Sequence, residues 1–555
     1  MLQLPSSGSH PVLFARRLLL LGTFLQGVPP KAMQKLGGLG ASYLEIMANA
    51  VDKAVRLVNT NDSLTCSFEG LECIMIEAKY HNYSGQLYKS FMATRRAVAV
   101  AQAMALHRGF KSPSLKFLEF ESRNVFNPNQ ITFKLVEMDT YLSMMLGVPP
   151  SPIEMHFASD KALEDCHPID RMERIFMMAG KRILQRNATD ITDLSVTWDI
   201  DKTLQKAVNE ISSADPQWWL DPTATYIPLA ETGTDGSEIL SNAIRTADQL
   251  WFYHLLIRLH LPHMLRPSTD HKFMPNKLAV VHASRETLSR YNSFRISNPA
   301  EYYCRGSDYL ALVAFTMLCL AYISSASQTA DLGATVPDAL VQFLAHNRPS
   351  ARGIMEQTLQ ILESISKNGT DSIALDISRA MRSLLTTEAN AASGVVYKTS
   401  SSNADDMGFE NSSRISDANK ALQIRIAHFG TINFEHGVVS KSTSLPETSL
   451  MAEESGPSIQ SAQGSSLAAH HVFSRHDVSE RHLRQPSQQT LGTGEICYFQ
   501  HMTSDSNVSI PTDLPDIGDE WGGVQEVDIA LFDSIFRGLD DPAVTEDAWP
   551  QWMNV

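Results

Sequence analysis

The chain has 555 residues, 43% of them hydrophobic, which allows a sizeable core and exceeds what one core usually fills. Its net charge is −15 and its pI about 5.6, and no window is strongly basic, which argues against a DNA- or RNA-binding face in the chain itself. The six cysteines, Cys66, Cys73, Cys166, Cys304, Cys319 and Cys497, form no CxxC pair; they are too sparse for a disulfide framework and wrongly spaced for a structural zinc site.

From the N-terminus, "ARRLLLLGTFLQGVPP" begins like a signal peptide, but Gln26 interrupts the apolar run and no small-x-small cleavage site follows. Leu18, Leu21, Phe24 and Leu25 fall at helical spacing, and Pro29-Pro30 stops the helix. Further helices are predicted over 40–58, 69–81, 85–108, 131–146, 168–186, 199–213, 237–262, 276–292, 300–326, 335–346, 351–366 and 371–387, with no repeat at a fixed period. The longest apolar run, residues 309–323, is short of the roughly 18–20 residues that span a bilayer and reads as a core helix. No membrane partner is therefore expected.

Composition changes near residue 390. Residues 391–512 are rich in Ser, Asn, Gln, Thr, Asp and Glu and bury too little apolar surface to order, apart from the more apolar "ALQIRIAHFGTINFEHGVV". Residues 513–555 carry eleven acids and one base, Arg537, interleaved with Trp521, Phe532, Phe536, Trp549 and Trp552. Read as a helix, "EVDIALFDSIFRG" aligns Val527, Leu531 and Ile535 in one row and Asp528, Phe532 and Phe536 in the next, with Gly538 as the stop. Such a helix is marginal alone and is stabilised by docking its apolar face on a partner.

Catalytic signatures are missing: there is no HExxH, GxSxG or phosphate-cradling glycine loop. Asp199 and Asp201 in "TWDID" read as a cap or a solvated face. The best metal candidate, His254, His260 and His263, has no neighbouring carboxylate or cysteine in sequence and is broken by Pro262, so these read as core or capping histidines. The stretch 78–109 reads as the seam of two antiparallel helices joined by "NYSG", with Asn82 or Ser84 as the cap of the second and Gly109 as its C-terminal stop.

That stretch resembles the hallmark segment of the fungal-specific transcription factor domain, the middle homology region of fungal zinc-cluster regulators. The resemblance rests on Glu77, Tyr80-His81-Asn82, Arg95-Arg96-Ala97, Ala101-Gln102 and Leu106-His107-Arg108-Gly109. A second similar segment is "MDTYLSMMLGVPPSP", residues 138–152, with Asp139, Leu146, Gly147 and Pro149; a third is "LHLPHMLRPS", residues 259–268. Thr140 stands where the family usually has arginine, which leaves a buried ion pair at Asp139 in question. The tail "WGGVQEVDIALFDSIFRG" is similar to tails of regulators of fungal secondary-metabolite clusters. The family's DNA reader, a six-cysteine binuclear zinc cluster followed by a basic linker, has no counterpart in these residues, and zinc would be a cofactor only of such a cluster.

The expectation is thus an all-α, irregular multi-helix regulatory domain (12–390), a low-complexity, mostly disordered linker (391–512) and an acidic-aromatic activation tail with a short helix (513–555). The resemblance implies a nuclear transcription regulator, not an enzyme. It would engage a coactivator or the transcription machinery through its tail, and DNA through another module or a partner; a homodimer is a candidate assembly. The alternatives are an all-helical enzyme of a metabolite pathway, for which the paired acidic "DDxxD" is absent, and a cytosolic helical scaffold.

Overall fold

A computed structural model of the chain describes residues 4–28, 42–106, 115–125, 127–153, 156–164, 166–219, 236–266, 270–298, 303–331, 339–366, 372–402 and 422–436. His107, Arg108 and Gly109 lie outside these residues, as do Trp521, Val527, Leu531, Phe532, Ile535 and Phe536 of the tail.

The architecture is all-α with one small sheet. The main helices are α1 (Pro11–Gln26), α2 (Tyr43–Ala54), α3 (Phe68–Tyr83), α4 (Leu87–Ala103), α5 (Pro128–Leu146) and α6 (Pro168–Thr189). They continue with α7 (Leu194–Ala214), α8 (Gly236–His260), α9 (Met274–Ser297), α10 (Gly306–Asp331), α11 (Ala339–Ser366) and α12 (Ser372–Ala392). Many starts follow directly from local chemistry. Ser42 and Glu45 form a reciprocal capping box, Ser67 accepts from Gly70 N, and Asn127 and Asp193 cap α5 and α7. Proline occupies the first helical position of α1, α5 and α6, where its missing N–H is harmless.

Sequential neighbours pack as antiparallel pairs: α1 on α2, α3 on α4, α6 on α7, α8 on α9 and α11 on α12. At the N-terminal end Val12, Ala15 and Leu19 meet Met47, Val51 and Tyr80. A Cβ at Gly22 would sit 2.4 Å from Val51 Cγ2, so the close approach of α1 to α2 requires the glycine. The main core centres on α10, where Ala314, Phe315, Met317, Leu318, Cys319 and Leu320 are fully buried. The 22-residue apolar stretch Gly306–Ser327 is 83% buried, so a helix long and apolar enough to cross a membrane serves here as the centre of a globular core.

Several local expectations change. The α3–α4 turn does not use Asn82 or Ser84 as a cap: α4 begins after Gln86, with no side-chain cap, and Ser84 Oγ donates back to Tyr80 O at 2.9 Å. Helix α4 also ends at Ala103 rather than near residue 108, and Ala105 takes the left-handed conformation (φ 54°) that Gly109 was expected to supply. The two helices expected on either side of Pro349 are one, α11, with the proline inside it. The chain tolerates the lost hydrogen bond because both halves are anchored by packing on α9 and α10.

The sheet lies beyond residue 390, where the composition suggested a linker. Strands β1 (Tyr397–Ser402), β2 (Leu422–Ile426) and β3 (Gly430–His436) form an antiparallel sheet in the order β1-β3-β2. The apolar piece singled out in the sequence supplies β2 and β3. Leu422, Ile424, Ile426, Ile432 and Phe434 alternate with polar residues and join the main core through one face. Ser327 Oγ of α10 donates to Tyr397 O at 3.0 Å, tying β1 to the core helix.

Candidate functional site

Of the residues that carry the family resemblance, Glu77, Arg95, Arg96, Asp139 and Gly147 lie along the seam of α3, α4 and the C-terminal end of α5, and the β2–β3 turn meets that end of α5. Arg95 and Arg96 are adjacent in sequence, so on a helix they diverge by about 100°. They use that divergence to grip two different helices.

Arg96 turns to α3. Its Nη1 donates to both oxygens of Glu77, at 3.2 and 3.1 Å, and Asn59 Nδ2 adds a third bond at 2.8 Å. Asn59 reaches the carboxylate from the single π-helical turn Val55–Asn59 that follows α2, and its amide also donates to Cys73 O at 3.2 Å. Burial raises the Glu77 pKa from its ordinary value, with Arg96 the chief opposing influence.

Arg95 turns to α5. Its Nε lies 3.0 Å from Asp139 Oδ1, and its Nη2 donates to Pro149 O at 2.5 Å and Ser143 Oγ at 3.4 Å. Asp139 is buried and also accepts from Ser151 N at 2.6 Å and Ser151 Oγ at 2.9 Å. The ion pair that Thr140 placed in question is therefore made, with a cation from another helix. Thr140 itself is fully buried, and a Cβ at Gly180 of α6 would come within 3.1 Å of its methyl group.

Leu146, Gly147 and Pro149 shape the exit from α5. Gly147 adopts φ 76° and caps the helix in the left-handed conformation, donating to Ser143 O at 3.0 Å; Val148 N donates to the same oxygen at 3.2 Å. His428, at the tip of the β2–β3 turn, donates its Nε2–H to Ser143 O at 2.9 Å and itself holds φ 61°. Leu146 packs against the main core, as Tyr80 and Leu106 do in the two N-terminal clusters. Burial lifts the Tyr80 phenol to about 12.

The third segment begins one residue after Arg258, which is 5% exposed. Its Nη1 donates to Ala427 O at 3.0 Å and its Nε to His254 Nε2 at 3.2 Å. Burial pulls the guanidinium pKa down to about 10. It also drives that of His254 far below the usual imidazole range, with Arg258 adding to the shift. Arg186 of α6 caps the end of α8, donating to Leu259 O at 2.7 Å.

The three histidines do not converge. His254 stacks on Trp251, His260 Nδ1 meets Asn276 Nδ2 at 3.0 Å, and His263 stacks on Phe273. Among the described residues no group of three or more His, Cys, Asp or Glu is placed to hold a metal ion. Asp199 pairs with Arg182 at 2.6 Å on the surface, and Asp201 Oδ2 lies 3.7 Å from His260 Nε2.

A second polar knot fastens the α3–α4 turn to α10. Asp308, fully buried, accepts from Tyr291 OH at 2.8 Å and Arg295 Nη2 at 2.6 Å, and Arg305 Nη1 lies 3.0 Å away. Arg305 N donates to Tyr83 O at 2.9 Å. Sequence reading missed Asn59, Arg258, Arg295, Arg305, Asp308 and His428. Each is a polar residue of no motif with at least one partner more than ten positions away, and only an arginine within an otherwise apolar helical face hints at such a role. The geometry is that of a structural junction between helices, held by guanidinium clamps.

No family model matches the chain, and no solved structure matches it. The chain is 33% identical over 442 residues to a dehydrocurvularin biosynthesis regulator of Aspergillus terreus, covering 78% of this chain and 57% of that protein. It is 34% identical over 435 residues to a protein of the same name from Alternaria cinerariae, covering 78% and 54%. It is 27% identical over 439 residues to the transcription factor sdnS of Sordaria araneosa, covering 78% and 53%. The chain thus spans about half the length of the curated relatives it matches. Over most of its own length it is similar to fungal proteins named as transcription factors and as regulators of biosynthesis.

Proposed function

We propose that the chain regulates transcription of a biosynthetic gene cluster in a fungus, acting in the nucleus and without catalysis of its own. The observation that carries this reading is the likeness over 78% of the chain to two proteins named biosynthesis regulators. The helical body would act as the regulatory domain. In it the hallmark residues Glu77, Arg95, Arg96, Asp139 and Gly147 hold the seam between α3, α4 and α5. DNA would be engaged through another module or a partner protein. Residues 513–555 would be the activating part: the acids keep Phe532 and Phe536 solvated and steer them to a basic coactivator surface, where the aromatic row docks in a groove.

The test is to tether the full chain to an unrelated DNA-binding module and read a reporter gene. Activation is expected, falling strongly when Phe532 and Phe536 become alanine and only modestly when Asp540 and Asp541 become asparagine. A tethered chain that leaves the reporter at its basal level would overturn the activating role. In the producing organism, deletion of the gene should silence a contiguous set of biosynthetic genes; an unchanged transcript profile would overturn the regulatory role itself.

A further inference from the structure

Helices α9 and α11 line a partly open cavity of about 550 Å³, within the size range of small-molecule sites. Leu278, Val281 and Arg285 face it from α9, spaced as one helical stripe. Leu340, Phe343 and Asn347 face it from α11, again at intervals of three and four. All the α11 residues that line it precede Pro349, the residue that interrupts the hydrogen bonding of that helix.

The lining is divided by chemistry. One wall is apolar, and Phe343 leaves 45% of its surface exposed there. The other carries Arg285, with His282 and the carboxylate of Glu286 beside it. Arg285 Nη2 donates to Ser350 Oγ at 3.0 Å and Nη1 to Asn347 Oδ1 at 3.4 Å, both neutral acceptors. Among the described residues no carboxylate forms an ion pair with Arg285, and its neighbour Glu286 is taken by Arg290. A half-buried guanidinium that opens onto an apolar cavity with only neutral partners gains most from an anionic group that brings its own charge.

We propose that this cavity binds a small apolar organic anion, with its flat hydrophobic part between Leu278, Leu340 and Phe343 and its carboxylate, sulfonate or phenolate on Arg285. This site stands whether or not the chain regulates transcription, because the evidence for it is geometric.

Two fluorescent probes with the same aromatic frame test the assignment on the full chain. They are 1-anilinonaphthalene-8-sulfonate, an anion, and N-phenyl-1-naphthylamine, its neutral counterpart. The sulfonate should bind saturably at one site per chain, and more tightly than the amine. Arg285→Gln removes the charge and, being shorter, also the contacts of the terminal nitrogens with Ser350 and Asn347. It should weaken the sulfonate about tenfold, as for loss of one charge-assisted contact, and leave the amine nearly unchanged. Ala339→Trp, at the exposed rim, should block both probes, with an unchanged circular-dichroism melt showing that the fold is intact. Equal binding of the sulfonate by the wild type and Arg285→Gln would overturn the proposal, as would an Ala339→Trp chain that still binds both. A full chain with Phe532 and Phe536 replaced by alanine should bind the sulfonate as the wild type does. If it binds markedly better, the cavity's occupant is the chain's own tail, and the small-molecule assignment fails.

Discussion

Helix α10 presents almost nothing but carbon to its neighbours, with Phe315, Met317, Leu318 and Leu320 fully buried. Helix α4, also wedged between other helices, buries small residues such as Ala93 and Ala97 and carries Arg95 and Arg96 into ion pairs on either side. Apolar packing is non-directional and graded: it holds α10 in the centre but leaves rotation and sliding to be fixed by shape alone. An ion pair with satisfied hydrogen bonds fixes register, because a slip of one residue leaves a buried charge without its partner. The seam of α3, α4 and α5 therefore gains definition where α10 gains bulk stability. The first turn of α10 combines both modes, since Asp308 locks Arg295 and Arg305 at the end of the apolar helix.

The largest expected effect tests that combination. Asp308→Ala leaves two guanidinium groups, each 1% exposed, without their carboxylate, and should destabilise the helical body by about 5 kcal/mol in chemical denaturation. A loss below about 1 kcal/mol would show that the knot is ornamental to stability. Next, Leu318→Ala opens a cavity in the middle of α10 and should cost about 3 kcal/mol. The contrast sharpens when the α4 pair is removed as a unit: Arg95→Met with Asp139→Leu should be milder than Asp139→Ala alone, because no charge is stranded. Such rescue has no counterpart for Leu318, and its absence at Arg95 would break the comparison.

Smaller changes probe the corner where the two modes meet. Gly147→Ala places a Cβ at φ 76° and 3.3 Å from Ala427 Cβ. The left-handed conformation and this contact together should cost about 2 kcal/mol, with increased amide exchange in the β2–β3 turn. The smallest effect is that of mild acid. His254 is fully buried beside Arg258, and its pKa lies well below the ordinary 6.5. The unfolded chain therefore takes up the proton first as pH falls. The stability linked to His254 is present above pH 6.5 and is lost below it, by about 1 kcal/mol at pH 6. His81, held near 4 by burial, acts in the same direction. A denaturation midpoint that does not move between pH 7 and 6, or moves equally in His254→Gln, would show that His254 does not carry this pH dependence.

The helical class and most element positions were legible in the sequence, because apolar spacing, proline and capping residues act within a few residues of where they stand. Ser42 with Glu45 and Asn127 with Pro128 show this directly. The hallmark residues were legible as a pattern but not as a mechanism. Nothing in the string "TRRA" says that one arginine will grip Glu77 and the next carboxylate partner will be Asp139, 44 positions on. The sheet was only half legible: β2 and β3 carry alternating apolar residues, whereas β1 reads "YKTSSS" and is a strand because β3 and α10 supply its partners.

The sequence by itself determined which segments become helices, which faces of them are apolar, and that the C-terminal 43 residues are acidic and aromatic. Those properties depend on local backbone preference and on composition. The tertiary structure decided which charge meets which, that the apolar membrane-length stretch of α10 is buried as a core, and that residues of α9 and α11 line one cavity with Arg285 in its wall. These outcomes depend on contacts between residues tens to hundreds of positions apart. Arg258 and Ala427, 169 positions apart in sequence and 3.0 Å apart across one hydrogen bond, are set together by packing that no local window contains.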